Sequence, residues 1–69
     1  MNLSYKTTTV GPHKLRTMHV IIVEDEFLTT TRAKEVLKFV KDRNPSKYDW
    51  KQLKEAVRLG DPIKITDGL

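Results

Sequence analysis

Seven cations recur at steps of three and four residues: Lys34, Lys38 and Lys41 in one segment, then Lys47, Lys51, Lys54 and Arg58 in the next. On helices that spacing gathers each set within about one third of the circumference. Two such stripes can follow a phosphate backbone, and binding of that kind is electrostatic, releasing counterions from the polyanion. The like charges at i,i+4 (Lys34 with Lys38, Lys47 with Lys51, Lys54 with Arg58) cost a few tenths of a kcal/mol each, so the pattern runs against stability and points to a use. The plainer alternative is a solvated surface in which Lys51 pairs with Glu55 and Lys38 with Asp42.

Other chemistry is thin. The chain has no cysteine, no glycine-rich phosphate loop and no pairing of a nucleophile with a base. His13 and His19 lack the further ligands a metal site needs and read as a turn and a strand histidine. No catalytic residue, metal or cofactor is expected, and we expect a non-enzymatic binding protein. Trp50 and Tyr48 could stack bases, but their places in and beside an apolar helical face argue for packing instead.

The elements that must carry the stripes follow from periodicity. Threonine-rich residues 3–10, the turn signal Gly11-Pro12 and the branched run 15–23 predict a β-hairpin over 3–23. In Met18-His19-Val20-Ile21-Ile22-Val23, residues of both parities are apolar, which suits a central strand with a neighbour on each side. Ala33, Val36, Leu37 and Val40 share one helical face ahead of Asn44-Pro45, predicting a helix over about 30–43. Its start is open: Thr29, Thr30 or Thr31 can cap it, Asp25 can cap a longer helix, and the threonines would equally suit a strand.

A second helix over about 50–59 has Trp50, Leu53 and Val57 on its core side. Asp49 with Gln52 reads as a capping box, Tyr48 as a staple against Leu53, and Gly60 with Pro62 as the stop. Residues 62–66 alternate as a short strand that should pair beside the central one and leave 67–69 as a frayed end. The expected fold is α+β, a single domain over residues 1–69 in the order β-β-α-α-β, with two helices on one face of a three-stranded sheet.

The run Val20-Ile21-Ile22-Val23-Glu24-Asp25-Glu26-Phe27-Leu28 resembles the first strand and acidic pocket of response-regulator receiver domains. The resemblance implies Mg²⁺ binding at the strand-end carboxylates and places Asp67 near that family's phosphoacceptor. The chain departs from the pattern in its N-terminal hairpin and in having no counterpart of the later strands, the switch hydroxyl or the functional lysine. Read from its residues alone, Glu24-Asp25-Glu26 is a solvated turn or a helix start whose carboxylates favour the helix N-terminus.

Sixty-nine residues with a net charge of +4 make one small domain, and a core of that size seldom supplies more than roughly 3–5 kcal/mol. A partner or a second copy is therefore expected. Residues 32–59 hold nine cations against four acids, whereas Glu24, Asp25 and Glu26 form an acidic run. Lacking cysteine, a leader-like start and any long apolar run, the chain is expected to be cytoplasmic and not membrane-bound. Nucleic-acid binding through the basic stripes is the leading expectation. The alternative is a protein-directed modulator, a small inhibitor or adaptor of the kind that viruses and mobile elements encode, acting through an edge strand or the acidic turn. Homodimerisation is expected through an exposed edge at Thr7, Thr8 and Thr9 or through an uncovered sheet face.

Overall fold

Strands β1 (Leu3–Val10) and β2 (Arg16–Val23) form the expected antiparallel hairpin, in register from Leu3 opposite Val23 to Val10 opposite Arg16. The computed structural model describes residues 1–13 and 16–66. Lys14 and Leu15, and the tail 67–69 with Asp67, lie outside the described residues.

The next element corrects the expected order. Residues 26–30, left open between a strand and a helix start, form strand β3 (Glu26–Thr30), antiparallel to β2 with Ile22 opposite Phe27 and His19 opposite Thr30. Only Glu24 and Asp25 separate the two strands, and Glu24 takes a left-handed φ of 55°. Such tight hairpins normally announce themselves with Asn-Gly or Asp-Gly. Here a glutamate occupies the left-handed position, so the hairpin signal is hidden in a run of acids. The residues that resemble a receiver pocket are this turn.

Helix α1 (Ala33–Lys41) starts later and stops earlier than expected, and its N-cap, Arg32, makes no side-chain cap. Thr30 takes over that role from the end of β3: its Oγ1 accepts from the Arg32 N–H and donates to the Glu35 carboxylate. Helix α2 (Lys47–Leu59) starts earlier than expected, because its cap is Ser46, whose Oγ accepts from the Asp49 N–H at 3.1 Å. Asp49 thus lies inside the first turn, where its charge suits the helix dipole. Tyr48 is 69 % exposed and does not staple the helix. Gly60, at φ 74°, ends α2 in the left-handed cap that glycine allows.

Strand β4 (Ile63–Ile65) pairs with β1 through Leu3, Ser4 and Tyr5 instead of lying beside β2. The sheet therefore has four strands, in the order β3-β2-β1-β4, and not three. β2 is central as expected, but its second neighbour is β3. Beyond Tyr5 on one side and His19 on the other, β1 and β2 continue as a two-stranded arm, which draws the molecule out to 41 × 22 × 20 Å.

Pairing puts Leu3, Tyr5, Ile21 and Val23 on one sheet face, where Val36 and Val40 of α1 and Leu53 and Ala56 of α2 close over them. All eight are buried, and both helices cover this single face. Among the described residues no helix is long and apolar enough to cross a membrane.

Candidate nucleic-acid interface

The connection between the helices decides which cations meet. Asn44 adopts φ 53°, a left-handed conformation that asparagine tolerates better than most residues, and donates its N–H to the Lys41 carbonyl at 3.1 Å. Pro45 cannot continue the helix, and Ser46 caps the next one. The chain thus reverses within a few residues and brings the last residue of α1 against the first turns of α2.

At this corner the two stripes touch. The Lys41 ammonium from α1 and the Lys54 ammonium from α2 each lie 5.6 Å from the centroid of the Trp50 ring, within the range of a cation–π attraction. Lys41, Lys47 and Trp50, with Asn44 and Pro45, line an open hollow of about 220 Å³. Trp50 is half-buried, with part of it packed against the core and the rest open to this hollow. The expectation that it is purely a packing residue is therefore incomplete. Both ammonium groups lie over the indole ring, so this corner sets one cation from each helix at the same aromatic, and a stacking face opens only where a lysine turns away to a phosphate.

The other stripe residues are placed as follows. Lys51 and Arg58 are exposed along α2, continuing the line of Lys47 and Lys54. Lys34 is exposed on the first turn of α1. Lys38 instead shares a hollow with Glu35, Asp42 and Arg43, so its surroundings are mixed in charge. Among the described residues none of the seven cations has a carboxylate within 4.0 Å, so the Lys51–Glu55 and Lys38–Asp42 pairs do not form.

Arg43 lies outside the stripes, and its part is structural. It pairs with Glu26 at 3.1 Å, donates to the Phe39 carbonyl and lies 3.6 Å from the Phe39 ring centroid. These contacts tie the end of α1 to the start of β3. No local pattern marks the residue, because its partner is 17 positions away.

Of the two histidines, His19 lies on the helix-covered face, its Nδ1 hydrogen-bonded to the Tyr5 hydroxyl at 2.7 Å and its ring stacked on the phenol. Burial raises the Tyr5 pKa above its ordinary value. His13 is exposed in the hairpin turn. Among the described residues no group of three or more histidines or carboxylates is placed to hold a metal ion. Comparison with protein-family models, with curated proteins and with solved structures gives no match to this chain.

Proposed function

We propose that the protein is a non-enzymatic nucleic-acid-binding module. Lys41, Lys47, Lys51, Lys54 and Arg58 hold phosphates, Trp50 stacks a base once Lys41 or Lys54 swings from its ring to a phosphate, and Lys34 and Lys38 extend the field along α1. The observation that carries this reading is the meeting of Lys41 and Lys54 at one indole, which brings a cation from each stripe to the same point. Because a duplex keeps its bases stacked internally, a half-exposed aromatic among cations favours a single strand.

Trp50 is the chain's only tryptophan, so its fluorescence reports on this site alone. Adding single-stranded oligonucleotides at low salt should quench it, with affinity falling by a log–log slope of about −0.7 per phosphate contact. Lys51→Glu with Lys54→Glu should weaken binding to unrelated sequences alike. No measurable binding at low salt, or binding indifferent to the charge reversal, would overturn the reading.

A second reading, the protein-directed modulator, is favoured by one observation: Phe27 is 70 % exposed on the sheet face that the helices leave bare. It requires a different protein to occupy that face.

A further inference from the structure

Strand pairing assigns Arg16, Met18, Val20 and Ile22 of β2, with Ser4, Lys6 and Thr8 of β1 and Phe27 and Thr29 of β3, to the face opposite the helices. The bare side of β2 reads Arg16, Met18, Val20, Ile22, a cation and three apolar residues, and just past the strand end Glu24 borders the same hollow as Ile22, one carboxylate oxygen accepting from the Asn2 N–H at 3.0 Å and the other left to meet a cation. The pattern is complementary to itself when reversed. Val20 is its midpoint, with Arg16 about 13 Å along the strand on one side at the usual rise per residue and Glu24, the first residue beyond the strand, on the other.

We propose that two copies of this chain pack these bare faces together, with the β2 strands antiparallel about a two-fold axis at Val20. In that arrangement Arg16 of each copy meets Glu24 of the other, Met18 meets Ile22, and Val20 meets itself, as an isologous interface requires. Two further observations fit. A hollow of about 230 Å³ beside Ile22, lined also by Ser4, Glu24 and Lys64, is placed to receive the second copy's Met18. Ile22 and Phe27, opposite each other on β2 and β3, are 40 % and 70 % exposed, a cost that a second sheet removes.

Lys6 lies opposite Val20 but towards the open edge of β1, where its flexible stem lets the ammonium reach solvent at the rim. The dimer leaves both helix layers facing outward. Its Trp50 surfaces would then sit on opposite sides of the assembly.

Sedimentation equilibrium from micromolar to millimolar concentration tests the proposal without nucleic acid, so its outcome is independent of the function proposed above. The unmodified chain should sediment as a dimer, and Ile22→Asp as a folded monomer by circular dichroism. Because Ile22→Asp also alters the strand that carries it, charge exchange provides the second arm. Arg16→Glu alone and Glu24→Arg alone should each weaken association at least about tenfold, and the two together should restore it. A monomer throughout the concentration range, a dimer that survives Ile22→Asp, or a double exchange that fails to restore association would each overturn the proposal.

Discussion

The two sides of strand β2 carry similar residues and meet opposite fates. Ile21 and Val23, facing the helices, are 0 % and 1 % exposed, while Ile22, between them in sequence, is 40 % exposed. Alternation along a strand sends neighbours to opposite faces, and both helices were spent on one of them. The comparison separates what an apolar side chain offers from what the fold does with it. One face builds the core, and the other is left as a surface that a second molecule can use.

The largest effect should come from cutting the covered side. Ile21→Ala should cost about 2–5 kcal/mol, close to the whole stability expected of a chain this small. Ile22→Ala in dilute solution should cost about 1 kcal/mol or less, since much of that side chain is already in water. Urea denaturation of both variants at low concentration checks the contrast. Equal losses would show that the bare face contributes to the monomer's stability as fully as the core does.

Thr30 tests how the covering layer is attached. It is 7 % exposed, and its hydroxyl serves both the Arg32 N–H and Glu35. Thr30→Val keeps the shape but leaves those groups without their partner, so about 1–2 kcal/mol should be lost. A neutral result in chemical denaturation would mean that α1 is held by packing alone.

Ser46 and Asp49 sharpen the same point at α2. Ser46→Ala should cost about 1 kcal/mol through the lost cap, whereas Asp49→Ala should cost only about 0.3–1 kcal/mol through the helix dipole. Thermal melts of the pair decide it, and the reverse order would return the cap to Asp49. The same melts with Lys51→Glu should show little change, because that lysine is exposed and has no carboxylate within 4.0 Å among the described residues.

The smallest effect is confined to alkaline solution. With the Tyr5 pKa held above 10.0 by burial, the folded chain keeps this proton more tightly than the unfolded one. That contribution is intact below pH 10 and is lost as pH rises through the folded-state value. Tyr5→Phe should therefore flatten the alkaline limb of the stability profile. An unchanged limb would show that the phenol is open to solvent on the unfolding timescale.

Much of this architecture is legible in the chain itself. The β1–β2 hairpin follows from threonine and branched residues on either side of Gly11-Pro12. The core residues Val36, Val40 and Leu53 follow from helical spacing, and the stop at Gly60 from its freedom to turn left-handed, whereas on α2 the buried partner of Leu53 is Ala56, with Trp50 and Val57 only partly covered. Short-range ambiguity accounts for the misplaced cap: Ser46 with Asp49 and Asp49 with Gln52 both have the three-residue spacing of a capping pair, and periodicity alone does not choose between them.

What the sequence determined by itself was the set of local preferences and the two charged stripes, because these depend on residues three or four positions apart. Tertiary structure decided the rest. β3 is a strand because β2 offers it an edge, which outweighs the helical alternative for its threonines. Lys41 and Lys54 share Trp50 because a left-handed Asn44 folds one helix against the other, and Arg43 is occupied because Glu26 arrives from the far side of the sheet turn. Each of these depends on long-range pairing, whose free energy is realised only when the chain has closed on itself.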